Sequence, residues 1–506
     1  AVECYQLAFA VEERLRLLYA FTDSKLYAGA RNRPYYEHAL QAAWQLYQQS
    51  PNDTYLALAL EFVERNKAFV LWEAMNQSQV EAENLASLQF YELTDLQDYL
   101  QARDALVLSY FVGEKQLYRL AFHQDWGEVA AIPMPEGFED SLRSFVDFIA
   151  NGFAERSTRG EAAYYEHLRQ EALGWYKLLL GDVLANERFA KQAPQQLLFL
   201  PDGQLSNLPF EVLLTSEAEA YQETKGFMSQ LRDLPWLVRA YRTRYAYSVN
   251  TLLRSAAIQY PYRESYVGFA PTYSSKEKRH LLEEDFSLGA IPQSSDFVQR
   301  MARTMNGDAL LGEEANLQAY EDHLQGSNIL HLVMHGYADD SLDQYSWLAF
   351  AYDTAETNGL LLGRVIYQQQ LQTNLILLTA CQSDKGQIMI GEGKMSLSRA
   401  FIQAGCPNVV SSLWNAPIGP TTGIMDYFLT AMRQEMPLDQ ALQEAKLHHL
   451  MTDDPMPHLW SNFKLIGGDQ IICLPHFWRP WYIYLIGLLI LVTVGIGRIC
   501  REEKNR

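Results

Sequence analysis

Cysteine is scarce in this sequence: Cys4, Cys381, Cys406, Cys473 and Cys500 are spread over 506 residues. No two of them stand as C-x-x-C, which excludes a disulfide framework, a structural zinc site of common spacing and a dithiol redox motif. Each is by default a small buried hydrophobe, so Cys381 has to be singled out by its context. Positive charge is also short, with 41 Lys and Arg against 61 Asp and Glu and a formal net charge of −20. A phosphate backbone needs a basic face that releases its counterions, so no nucleic-acid partner is expected. The chain has no G-x-S-x-G elbow and no long low-complexity tract. It also lacks an initiating Met. It begins at Ala1 in helical sequence and reads as a fragment or processed chain, with any export signal lying upstream. What is present, 48% hydrophobic and 20% charged residues, is the composition of folded protein, and the length calls for two or more domains.

Residues 1–90 read as all-helical. Apolar positions recur at helical spacing through Ala39, Ala43 and Leu46, and again through Leu56, Leu60, Val63 and Leu71, with a break at Ser50-Pro51-Asn52-Asp53. Paired helices with small residues at their contacts resemble the end of a tetratricopeptide array, or else form a plain helical hairpin on the next domain. The period then changes. Residues 105–112 and 116–122 read as a hairpin, 137–151 and 161–190 as helical, and 196–200 as a short apolar strand before Pro201-Asp202-Gly203. Residues 242–249 allow another strand. A second series supplies strands at 266–270, 329–333, 347–351, 374–379, 408–413 and 463–466. Apolar runs separated by helices are what a parallel sheet buried on both faces requires, so two α/β halves, 91–260 and 261–473, are expected.

The end of the chain differs. Pro480 to Gly497 carries no charge, and Phe477, Trp478, Trp481, Tyr482 and Tyr484 cluster at its start. A transmembrane helix over 477–499 is expected, with a basic tail at 500–506. The charge bias around it places the bulk of the chain outside the cytoplasm and the tail within, a tail-anchored topology with everything in the cytoplasm being the alternative; in either case the membrane counts as a partner through that helix.

The most specific pattern is an apolar strand ending in His-Gly followed by one ending in Ala-Cys. These are Ile329-Leu-His-Leu-Val-Met-His335-Gly336 and Leu375-Ile-Leu-Leu-Thr-Ala380-Cys381. In an open α/β sheet, functional side chains stand just past the carboxyl ends of strands. His335 and Cys381 are 46 residues apart, close to the roughly 50 of the caspase signature. An imidazole beside a thiol lowers the thiol pKa and returns the proton to the leaving amine. The backbone N–H groups of Gly336 and Cys381 are assigned to the oxyanion.

Several blocks around these motifs resemble the CHAT domain family, caspase- and separase-like cysteine peptidases that follow tetratricopeptide repeats. They are residues 198–213 with Pro201-Asp-Gly and Pro209-Phe-Glu211, Ala380-Cys-Gln-Ser383 with Gly391-Glu-Gly393, 404–414 ending in Ser412-Leu-Trp414, and 460–467. The likeness runs over about 90–472. It implies a catalytic dyad of His335 and Cys381, an inactive caspase-like half at 91–260 and an active one at 261–473. Where the family commonly has an acid after Ser-Leu-Trp, this chain has Asn415-Ala-Pro-Ile-Gly-Pro420, which leaves substrate preference open.

Other motifs fail on their residues. His331 and His335 have zinc-peptidase spacing, but Leu332 replaces the needed Glu and the stretch is a strand, so His331 reads as a supporting core histidine. The Gly391–Lys394 loop lacks the Walker glycine at 388 and the hydroxyl at 395, and is expected to border the cleft instead. Asp339, Asp340, Asp384 and Glu392 lie near the dyad in sequence and would select a basic side chain if they face the cleft; solvated loop charge is the alternative. No cofactor and no metal are expected. The sequence therefore points to a membrane-anchored cysteine endopeptidase for specific protein targets, with the helices recognising a substrate or a protein trigger. A catalytically inactive, membrane-tethered binding scaffold is the alternative.

Overall fold

Runs of four or five apolar residues without polar alternation become strands covered on both faces. The computed structural model describes residues 2–77, 89–190, 193–274, 279–281, 284–339, 343–352, 358–380, 383–415, 417–468 and 470–472. Within it eleven strands form one sheet. In chain order these are β1 (Ala105–Val112), β2 (Gln116–His123), β3 (Trp126–Pro133), β4 (Gln196–Leu200), β5 (Arg242–Tyr245), β6 (Val267–Pro271), β7 (Asp308–Gly312), β8 (Ile329–Leu332), β9 (Leu375–Leu378), β10 (Asn408–Ser412) and β11 (Phe463–Gly467). The spatial order is β3-β2-β1-β4-β5-β11-β10-β9-β8-β6-β7. Pairing is parallel except in the β1–β2–β3 meander and where β11 meets β10. The last strand among the described residues thus lies between β5 and β10, and joins strands of both α/β series into a single sheet. β4, β6, β8, β9, β10 and β11 are buried at every position, as a sheet covered by helices on both faces requires.

Two strands carry no strong sequence signal. β3 and the edge strand β7 are only half-buried along most of their length, and their apolar content is correspondingly mixed. A third difference lies at 347–351. Trp347–Ala349 does not join the parallel series but pairs with Gly336–Tyr337 and Leu360–Leu362 in a small antiparallel sheet.

The N-terminal segment folds as α1 (Val2–Leu18), α2 (Thr22–Gln49), α3 (Asp53–Asn66) and α4 (Phe69–Gln77). The break at Ser50-Pro51 ends α2, and Asn52 caps α3 by accepting the Tyr55 N–H at 3.1 Å. These helices are tied to the sheet by buried polar groups. Glu64 accepts the N–H groups of Val249 and Asn250 at 3.0 and 2.9 Å. These open the helix α5 (Val249–Ala257), where a carboxylate favours the positive end of the dipole. Lys67 donates to Tyr110 O at 3.0 Å and Leu200 O at 2.5 Å, at the ends of β1 and β4. Burial pushes its ammonium down to about 8.

The third tie reaches across 376 residues. Glu392, 1% exposed, meets Arg16 at 3.2 Å and Arg399 at 2.8 Å, both arginines fully buried. It also accepts the Val70 N–H at the start of α4 at 3.0 Å. Next to it, Gly391 O accepts the Ala68 N–H at 2.7 Å. Gly391 has φ +81°, and a Cβ there would press on Asn66 Oδ1 at 3.1 Å, so glycine is required for this approach. The Gly391–Lys394 loop is therefore the seat of the helical segment, which corrects its expected place at the cleft border.

The membrane localisation is also corrected. Among the described residues no helix is long and apolar enough to cross a membrane. The longest, α2, carries Asp23, Lys25, Arg31, Arg33 and Glu37. The segment 477–499 and the tail 500–506, on which the expectation rested, lie outside the described residues.

Replacing Glu392 by Ala strands two buried guanidinium groups, and breaking a buried ion pair in this way costs about 3–5 kcal/mol. Urea unfolding should show a loss of that order, and limited proteolysis should cut first within residues 2–77. An unchanged midpoint and cleavage pattern would contradict the tie.

Candidate functional site

β8 and β9 are parallel neighbours with Ile329 opposite Leu375 and Leu332 opposite Leu378. Thr379 N–H continues the ladder to Leu332 O at 3.0 Å. His335 stands three residues past Leu332, and Cys381 three past Leu378. Cys381 itself, with Gln382, lies outside the described residues. The chain on either side of that pair is held to Ser412, at the end of β10. Ser412 Oγ donates to Ala380 O at 2.5 Å, its N–H donates to Ser383 Oγ at 2.9 Å, and its carbonyl accepts the Asp384 N–H at 2.8 Å.

His335 is half-buried, and three contacts orient it. Its ring packs on Tyr273 with centroids 4.8 Å apart. Its backbone N–H donates to the Tyr273 hydroxyl at 3.2 Å, and its Nε2 lies 2.7 Å from Gly289 O. A carbonyl can only accept, so Nε2 carries the proton and Nδ1 keeps the lone pair. Gly336 opens the short strand that pairs with Trp347–Leu348.

Behind the site, His331 is fully buried between strands. Its Nδ1 lies 2.8 Å from the Tyr266 hydroxyl and its Nε2 2.8 Å from Thr379 Oγ1. Both ring nitrogens are satisfied in either neutral tautomer, and desolvation pushes the imidazole down to about 3. It is the supporting histidine its strand position implied, and it anchors Thr379, two residues before Cys381.

Two of the acids near the dyad in sequence, Asp384 and Glu392, take neither expected role. Asp384 is buried against Lys394 at 2.8 Å and accepts Ser398 Oγ–H at 2.9 Å. Glu392 is committed to Arg16 and Arg399. Asp339 is half-buried, its N–H donating to Ser346 Oγ at 3.0 Å, and Asp340 lies outside the described residues. Cys406 is fully buried with its Sγ 3.0 Å from Asn408 O, and burial pushes the thiol up to about 12, so it fills space. Among the described residues no group of three or more His, Cys, Asp or Glu is arranged to hold a metal.

Sequence reasoning missed Gly289, Tyr273 and Ser412. Gly289 acts through its carbonyl, which has no side-chain signature. Ser412 is one of two serines that close β10 after Val409 and Val410, a polar end to a fully buried strand.

A profile of the CHAT domain matches residues 170–468, well over half of the chain. The chain belongs to the CHAT domain family. Its helices before that domain are tetratricopeptide-like. Tetratricopeptide repeat protein 28 of Homo sapiens is 29% identical over 111 residues, 22% of this chain and 4% of the human protein. The Mus musculus protein of that name is 28% identical over 101 residues, 20% of this chain and 4% of its own length. The chain thus corresponds to a small part of either relative. Among solved structures, a chain of the Saccharomyces cerevisiae separase–securin complex superposes with a TM-score of 0.54 at 9% identity, covering 92% of this chain and 38% of that one. This likeness shows the fold: the CHAT domain here is separase-like, a mostly parallel sheet flanked by helices.

The buried His331 has a pH signature. Its folded pKa is depressed to about 3, while an unfolded histidine titrates near 6.5. The unfolded chain therefore binds more protons between these values, and stability falls as pH drops from about 6.5 towards 3, by roughly 1.4 kcal/mol per unit from this residue. His331→Phe should flatten that acid limb. At pH 7 it should cost about 1–3 kcal/mol by leaving the Tyr266 and Thr379 hydroxyls unpaired. Urea titrations at pH 5 and 7 measure both, and an unaltered acid slope would refute the assignment.

Proposed function

We propose that this CHAT protein is a cysteine endopeptidase acting on specific protein targets, with Cys381 as nucleophile and His335 as its acid–base partner. The observation that supports it most is the shared register of β8 and β9. Equal three-residue extensions past Leu332 and Leu378 lead to the imidazole and the thiol. A base oriented by a third group is the arrangement an activated nucleophile needs, and Gly289 O supplies that group through Nε2.

In this reading, His335 Nδ1 takes the Cys381 proton. The thiolate attacks the scissile carbonyl, whose oxyanion is held by the Gly336 and Cys381 N–H groups. The imidazolium then gives its proton to the departing amine as the C–N bond breaks, leaving a thioester. Water, deprotonated by the same imidazole, hydrolyses the thioester and restores the thiol. Tetratricopeptide-like helices recruit the protein substrate or a protein trigger. Their ties to residues 391–392, ten positions beyond the nucleophile, make a route for the trigger.

The full chain should cleave members of a peptide library. Cys381→Ala should abolish cleavage with no change in unfolding midpoint, and His335→Ala should lower kcat by about 10²–10⁴-fold, the range of acid–base catalysis. Equal and complete inertness of wild type and both variants, in the presence of candidate protein triggers, would leave a binding scaffold as the function of the fold.

A further inference from the structure

Beside the two strand ends lies a cavity of about 220 Å³. It has room for several waters or one large side chain. It reaches His335 and Ala380, so its occupant sits next to the atoms that would react. Met334, Trp414 and Phe463 form its buried floor, and Ile291, Pro292 and Ile418 its more exposed mouth.

The polar groups that reach the cavity are almost all spoken for. Thr379 Oγ1 is bonded to His331, Ser412 Oγ to Ala380 O, and Asn462 Oδ1 accepts the Trp414 N–H at 2.9 Å. Among the described lining residues only the Thr421 hydroxyl is buried without a partner. Among the described lining residues none carries an acidic or basic side chain other than His335. Asp384 and Glu392 are engaged elsewhere by Lys394, Arg16 and Arg399. A guanidinium, ammonium or carboxylate entering this space would lose its hydration and gain no counter-charge from the described lining residues other than His335, which is strongly unfavourable. An aliphatic or aromatic side chain would gain burial against Met334, Trp414 and Phe463.

We infer that this cavity receives the substrate side chain on the amino side of the cleaved bond and that it takes an uncharged, apolar residue of leucine, methionine or phenylalanine size. The inference rests on the dyad reading above. Ile418 is the specificity-determining position easiest to alter: it is half-buried at the mouth and is the first residue of the helix Ile418–Met432. An aspartate suits the first turn of a helix.

The test uses the full chain and peptidyl acyloxymethyl ketones that differ only in their last residue. Modification of Cys381 is followed by mass spectrometry, with iodoacetamide as an untargeted control. Leucine, methionine or phenylalanine reagents should label Cys381 at least tenfold faster than arginine or aspartate reagents. Ile418→Asp should narrow the leucine-to-arginine ratio at least tenfold. Equal or faster labelling by the arginine or aspartate reagent in the wild type overturns the inference, whatever the variant does. Rapid iodoacetamide labelling without any preference among the ketones overturns the inference alone. A Cys381 no more reactive than the exposed Cys4 towards every reagent overturns the dyad reading, and the pocket's role with it.

Discussion

Parallel strands hydrogen-bond in a fixed register, and a one-residue slip turns every side chain to the opposite face. In this molecule that rule applies between β8 and β9, where Leu332 faces Leu378 in the middle of a sheet buried on both sides. The burial makes slippage costly. The imidazole at 335 is therefore placed by the pairing of apolar residues several positions upstream, and by Tyr273 and Gly289 O, which fix its ring. Ser412 performs the matching service on the other strand, with bonds to Ala380, Ser383 and Asp384 on either side of the thiol.

Around this centre the molecule adds buried polar groups to the apolar core that joins the helices to the sheet. Glu64 caps a helix of the sheet domain from outside it, Lys67 collects carbonyls at two strand ends, and Glu392 gathers Arg16, Arg399 and the start of α4. The carboxylates and the ammonium each have several partners, as burial demands. Directional ties of this kind fix how the helices dock more sharply than apolar contact does. They also place one docking point in the chain that follows the nucleophile, beside an apolar core in which Leu56, Leu60 and Val63 of α3 pack with Val107, Phe122 and Val249.

The strands legible in the sequence were those with uniform burial. β4, β6 and β8–β11 read as mostly apolar runs without regular alternation because both faces of the sheet are covered. β3 and β7 lie at the sheet's two edges, where half-burial mixes polar with apolar residues and erases the signal. The strand at 347–349 was legible but its partners were not, since pairing depends on chain ends brought together only in the fold. His331 and the position of His335 followed from strand periodicity alone. The roles of Gly289 and Glu392 did not: one acts through its main chain, and the other meets a partner 376 residues away.

The account stands or falls on proton sharing between His335 and Cys381. The pH dependence of Cys381 alkylation, followed by mass spectrometry in wild type and His335→Ala, measures it directly. An activated thiol should titrate one or more units below the ordinary value of about 8.5 in the wild type and return towards that value in the variant. A Cys381 that titrates at or above about 8.5 in both would contradict the dyad.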